Sequence, residues 1–364
     1  MNLLPHSNGL YKMKKEKVGL VIIVKRIVIG ILSLLLAGLV IQQCINLIDN
    51  TRLKSKFKYV RVDGKRMEYK LKGGGEYTVV FDGGIGNTMF EWDKVCDVLE
   101  EKEDVQTFVY NRRGYGFNDG GNARTPKEQA EDLKNLLKKS GASAPYILVG
   151  EEYGSLVMTN FAAEYPDSVA AVVLIDPISE EKAASDEFKK SIRFKYYRSK
   201  IESVGSNFLL TSILDKVGLT LENKYFEENI LESKLEEFSA LKNKKNYRQA
   251  VSNELGNLYN INSNSQSDGL LSNKPLYIIS QDKENILEKM GDEKFTTVYK
   301  HKDTQTPFSM ADPETVVNGI SSVLKDTKKI QKMNHKEWYA PSIRGSLLFK
   351  NYFISMKYCH WFDT

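Results

Sequence analysis

From Val105 onward the chain repeats one phrase: a short uninterrupted apolar run, a turn, then an amphipathic helical stretch. "VQTFVY" leads to "PKEQAEDLKNLLKKSG", "YILVG" to "SLVMTNFAAEY", and "VAAVVLIDP" (Val169 to Pro177) to another turn. "PLYIIS" (Pro275 to Ser280) and "FTTVYK" (Phe295 to Lys300) then lead to "DPETVVNGISSVLKD". Runs this apolar suit strands buried on both faces, and their alternation with helices calls for a mostly parallel sheet between two helical layers. Upstream, "KYVRVDGKRMEYKLKGGGEYTVVFDGG" alternates as strands do, with "DGK" and "GGG" as turns.

Two stretches depart from the rhythm. Residues 179–270 are charged, amphipathic and helix-prone, and end in the polar "NINSNSQSDGLLSN". An insertion on the carboxyl-end side of a parallel sheet covers the place where such sheets bind ligands, so it reads as a helical cap. Helices that only cover a sheet edge are the alternative. The core is then residues 49–178 and 271–328. The second departure is 329–364, where eight aromatics fall between Trp338 and Phe362. It reads as a tail added to a domain complete near Lys325.

The amino-terminal segment sets the compartment. Residues 1–61 hold eleven Lys and Arg against Glu16 and Asp49, a local +9, so the rest of the chain carries −4 of the total +5. A mildly acidic body behind a basic segment points to a membrane surface and away from nucleic acid. After the basic segment 1–26, residues 27–48 open with the uncharged run "IVIGILSLLLAGLVI" and continue "QQCINLI". Their length matches the roughly 20 residues a membrane-spanning helix needs, and no small-x-small cleavage site follows, so they read as an uncleaved signal-anchor. The excess of basic residues before the span favours an amino terminus inside and a body outside the cytoplasm. Cys44, Cys96 and Cys359 are scattered without metal-ligand or disulfide spacing.

Four segments, in order, carry a resemblance: "VVFDGGIGNT", "VYNRRGYGFND", "ILVGEEYGSLVMTNFAAEYPDSVAAVVLIDP", and "PLYIISQDKEN" with "DPETVVNGISSVL". Over residues 57–325 the chain resembles the α/β-hydrolase superfamily, with Asp82 where a histidine is frequent and Asn111 where an aspartate is. The resemblance implies a strand-to-helix elbow whose serine attacks a carbonyl, a histidine that takes its proton, and a carboxylate that orients the histidine. Here Glu152 holds the nucleophile position and Glu151 stands before it. Thr306 falls where the histidine is expected, and Asp282 matches the acid. Gly84 and Tyr153 match the residues whose backbone N–H groups form the oxyanion hole. Ser155 lies in the first helical turn, where capping or packing is usual. His301, five residues before Thr306, is an alternative base if the loop is shifted; an exposed loop histidine is the ordinary expectation.

Three functions follow. The first is a membrane-anchored hydrolase relative that is catalytically impaired, its Glu152 carboxylate accepting the Gly84 and Tyr153 amides and plugging the hole. The second is an active hydrolase with Glu152 as nucleophile or general base, as related dehalogenases and epoxide hydrolases use an aspartate there. The third is an anchored interaction protein. No cofactor is implied, and Glu151, Glu152 and Asp282 lack metal-ligand spacing. The partners expected are membrane lipid and a small apolar ester- or amide-like ligand. Phe208, Leu209, Leu210 and Leu214 are candidates for an apolar lining of the cap, with helix packing as the alternative.

Overall fold

Continuous runs of β-branched and aromatic residues become the central strands, and amphipathic segments become the layers on either side. The structure is a computed structural model that describes residues 19–53, 57–262, 264–281 and 286–339. After the long helix α1 (Leu20–Arg52) come β1 (Lys58–Val62), β2 (Lys65–Gly73), β3 (Thr78–Asp82), α2 (Asp93–Lys102), β4 (Gln106–Tyr110), α3 (Pro126–Ser140), β5 (Tyr146–Glu151), α4 (Tyr153–Glu164) and β6 (Val169–Ile175). Between β6 and the next strand lie α5 (Glu180–Ala184), α6 (Asp186–Gly205), α7 (Leu210–Lys216), α8 (Lys224–Asn229), α9 (Glu232–Leu241) and α10 (Lys245–Tyr259). Then follow β7 (Leu276–Ser280), β8 (Thr296–Lys300), α11 (Phe308–Ala311) and α12 (Pro313–Tyr339).

The eight strands form one sheet in the order β1-β2-β4-β3-β5-β6-β7-β8, antiparallel through β1, β2 and β4 and parallel from there on. Alternation along β3 sorts the core. Val79 and Phe81 face a cluster with Trp92, Leu99, Val316 and Ile320, beneath α2 and α12. Val80 faces one with Leu133, Leu156, Val157 and Phe161, beneath α3 and α4. The start of α3 is fixed by a capping box in which Thr125 and Glu128 bond each other's backbone N–H groups. The strand order reverses at β3, which lies between β4 and β5, so the crevice beyond the carboxyl ends of β3 and β5 is where such a sheet takes ligands.

Two expected boundaries move. The amino-terminal helix starts at Leu20 and ends at Arg52, enclosing the expected span 27–48, because "LVIIV" extends the apolar run and "DNTR" continues the helix. At the other end, α12 does not stop near Lys325 but runs through "TKKIQKMNHKEWY" to Tyr339, so the expected tail begins as part of the last helix. The rest of that tail, 340–364, lies outside the described residues.

Candidate active site

The elbow keeps its shape without its serine. Gly150 and Gly154 flank Glu151, Glu152 and Tyr153. Glu152 has φ 46° and ψ −113°, a left-handed conformation that costs a non-glycine residue about 1–3 kcal/mol. The surrounding contacts hold it there. A Cβ on Gly154 would collide with the Asp82 carbonyl and lie 3.0 Å from that of Gly83. The amino terminus of α4 thus rests on the backbone just after β3. Gly154→Ala is expected to lower stability by about 3 kcal/mol, since backbone cannot rearrange as a side chain does. A thermal midpoint unchanged within a degree would contradict that packing.

The Glu152 carboxylate reaches into the corner expected to be the oxyanion hole. Its Oε2 lies 2.5 Å from where a Cβ on Gly84 would sit. Among the described residues it makes no hydrogen bond, neither to the Gly84 amide nor to that of Tyr153, so the expected amide-bonded plug is corrected to an unbonded carboxylate filling the same corner. Burial raises its pKa, the nearby Asp176 carboxylate raises it further, and Lys195 of α6 pulls it back. Glu151 is tied to the segment before the last helix. Its carboxyl accepts the backbone N–H groups of Phe308 and Ser309 at the start of α11 and is fully buried.

Thr306, the expected histidine position, lies in the loop before α11, half-buried. Asp282 lies outside the described residues. The histidine and carboxylate that do meet are others. His301, directly after β8, places Nε2 3.1 Å from Oδ1 of Asp176, directly after β6. Only 5% of the His301 side chain is exposed, and its ring packs on Phe308 with centroids 4.0 Å apart. This corrects the expectation of an exposed loop histidine. Asp176 Oδ1 also accepts the Gln281 N–H at 3.2 Å, and Asp176, like Glu152, has a positive φ, 40°. With Nε2 engaged, His301 Nδ1 is buried with no hydrogen-bond partner among the described residues. The Glu152 N–H bonds the Ile175 carbonyl at 3.0 Å, which sets the elbow beside Asp176. Asp176 was missed as a site residue because "LIDP" reads equally well as a strand followed by a turn.

The loop after β3 is fixed from below by ions. Arg112 donates to Asp82, to both carboxylate oxygens of Glu254 on α10 at 2.7 and 3.0 Å, and to the carbonyls of Gly83 and Gly84 at 2.8 and 2.9 Å. Tyr110 donates to Asp82 at 2.8 Å and Tyr115 to Glu254 at 2.6 Å. Tyr247 of α10 donates to the Gly86 carbonyl at 2.6 Å. Asp82 is therefore a structural ion that orients the loop. Ser155, buried, donates to the Glu152 carbonyl and accepts the Ile178 N–H, a packing role. Among the described residues no group of three or more His, Cys, Asp or Glu is arranged to hold a metal. Of the candidates for an apolar cap lining, Phe208 sets its carbonyl against Gly38 of α1 and Leu210 is exposed. Three surface clefts, one of them lined by Arg112, Arg113, Asp132 and Glu254, include neither Glu152 nor Gly84.

A family model described as the alpha/beta hydrolase fold matches residues 77–290, more than half of the chain, and the protein belongs to that family. Among curated proteins it is 29% identical over 107 residues to the uncharacterised protein YqjL of Bacillus subtilis, covering 29% of this chain and 42% of that one. It is 25% identical over 131 residues to the cis-3-alkyl-4-alkyloxetan-2-one decarboxylase of Shewanella oneidensis, covering 35% and 40%. The chain thus spans about two fifths of the length of these relatives. The solved structure of the Cif epoxide hydrolase from Acinetobacter nosocomialis superposes with a TM-score of 0.58 at 16% identity, covering 79% of this chain and 96% of that one, a likeness of fold.

Proposed function

We propose that this is a membrane-anchored α/β-hydrolase-family protein whose site is closed to ester and amide turnover by its own elbow carboxylate. The observation that carries the reading is the position of Glu152 Oε2 against Gly84. A substrate oxyanion would have to occupy the corner that the carboxylate fills, and a negative group there opposes the charge that acyl transfer develops. The helix α1 supplies the anchor: its Leu20–Asp49 segment is long and apolar enough to cross a membrane. The basic residues ahead of it favour the body outside the cytoplasm.

A second reading has an observation of its own. The His301–Asp176 pair, with Nδ1 unengaged, is the base and orienting acid that a carboxylate nucleophile needs. In that reading Glu152 attacks a ring carbon of a small epoxide, the ring C–O bond breaks to an alkoxide that takes a proton from solvent, and water activated by His301 cleaves the resulting glutamyl ester to a diol and the free carboxylate. On an ester carbonyl the same attack would expel the alcohol and leave a mixed anhydride for that water to cleave. The extra methylene of glutamate over aspartate moves the attacking oxygen, which weighs against an efficient version.

One experiment separates them. The full chain in detergent is assayed with short-chain aryl esters and aryl epoxides, beside Glu152→Gln, Glu152→Ser, Glu152→Ser with His301→Ala, and Glu152→Ser with Thr306→His. The first reading expects no turnover by the unaltered protein and a gain on the order of tenfold or more over it in Glu152→Ser, because the corner opens and a hydroxyl replaces the carboxylate. Loss of that gain in the His301→Ala variant identifies the base, whereas a gain only with Thr306→His places it at 306. Turnover by the unaltered protein that Glu152→Gln abolishes makes the second reading the correct one.

A further inference from the structure

The insertion and the anchor touch at an unexpected level. Gly38 of α1 approaches the turn between α6 and α7 so closely that a Cβ on it would collide with the Phe208 carbonyl. Four residues on, buried Gln42 accepts a hydrogen bond from Ser212 of α7 at 3.3 Å. Near the carboxyl end of α1, Arg52 pairs with Glu236 of α9 at 3.2 Å. Gly38 lies three residues inside the strongly apolar run that ends at Ile41, which the milder, still uncharged "QQCINLI" extends to Ile48. At the helical rise Gly38 is about 5 Å inward from Ile41 and about 15 Å inward from Ile48.

The surface next to this contact is apolar. Along α6, Phe194, Tyr197, Ile201 and Val204 follow a 3-4-3 spacing on one face and are 72%, 52%, 64% and 62% exposed. Ile213 on α7 and Val217 just beyond it are exposed as well, at 53% and 63%. A soluble monomer rarely leaves so many large apolar side chains together in water. Exposed Arg193 and Lys200 lie on the same helix beside this face, within reach of anionic headgroups.

We infer that the outer face of α6 and α7 is bedded in the bilayer beside α1, so that the insertion is a second, monotopic membrane contact. The inference rests on α1 spanning the membrane. Hydrocarbon is the occupant that fits, because the patch continues from a helix whose own exposed residues, Leu34 at 75% among them, need the same environment.

The test places an environment-sensitive nitrobenzoxadiazole label on the full chain, with Cys44 and Cys359 changed to Ser, in vesicles of phosphatidylcholine and phosphatidylglycerol. Single cysteines replace Ile201, Val217, Leu34 in α1, and Lys329, which is 59% exposed on α12. Labels at 201, 217 and 34 are expected to emit to the blue of that at 329 and to lose about half their intensity to spin labels on the acyl chains. Quenching at 34 but not at 201 and 217 overturns the inference and leaves the anchor standing. No quenching at any site overturns the anchor reading and the inference with it. Blue emission at 201 and 217 that is unquenched and fades when the protein is diluted into excess lipid assigns the face to a second copy of the chain, which also overturns it.

Discussion

Arg112→Met is expected to prevent folding, or to lower the thermal midpoint by more than ten degrees (about 5 kcal/mol or more). The guanidinium lies between Asp82 and Glu254, all three at most 4% exposed. Removing one partner of a buried ion pair costs about 3–5 kcal/mol, because the other charge is left without compensation. Here one substitution strands two carboxylates and also the carbonyls of Gly83 and Gly84. That is a large share of the roughly 5–15 kcal/mol that stabilises a domain. Arg112→Lys is not expected to rescue it, since a single ammonium cannot reproduce the two-pronged bond to Glu254 together with the bonds to both carbonyls. The triple variant Arg112→Met, Asp82→Asn, Glu254→Gln removes the stranded charges and is expected to recover most of the loss. Thermal unfolding of the detergent-solubilised full chain measures all three. A midpoint in Arg112→Met within two degrees of the unaltered protein would show that the network contributes little.

That network also marks where the sequence stops being readable. The sheet was legible because each strand announces itself locally: "YTVVF", "YILVG" and "VAAVVLI" are apolar without interruption, and helical stretches separate the parallel ones. The elbow was legible because its two glycines and the strand and helix around them are contiguous. Contacts between polar groups far apart in sequence carry no such mark. Arg112 meets Glu254 across 142 residues, and His301 meets Asp176 across 125. Asp82 looked like a substituted site residue when its surroundings make it a counter-ion. The insertion was legible as helices, whereas the face it presents to α1 was not, because an apolar stripe on a helix reads identically whether it packs on protein or on lipid. The extension of α12 was hidden by composition, since the aromatic residues that set the tail apart begin on the final turn of that helix.

Beneath the elbow, a second pair of carboxyl groups makes stability depend on pH in the less usual direction, and Glu91→Gln is expected to weaken that dependence. Glu91 and Glu151 are fully buried. Burial, then the Glu151 charge and a hydrogen bond with it, raise Glu91 well above the ordinary range. Burial pushes Glu151 up to about 8 against the pull of its Ser309 bond, with the Glu152 charge adding to the rise. Both folded values lie above the unfolded one near 4.5, so between them the folded chain binds more protons than the unfolded chain. The stabilisation is therefore complete below about pH 4.5 and declines as pH rises through about 8, by up to roughly 1.4 kcal/mol per pH unit for each proton held only in the fold. In Glu91→Gln the amide can donate to Glu151 and the neighbouring acidic group is gone, which favours the ionised form of Glu151 as acceptor for Phe308 and Ser309. The variant is expected to unfold at a higher temperature than the unaltered protein at pH 8 and to show a flatter profile between pH 5 and 8.5. Titrations elsewhere in the chain cancel in the difference between the two profiles. Parallel profiles would mean that the carboxyls do not share a proton. A converging pair at low pH and a diverging pair at high pH would place the linkage in the layer that supports Glu152.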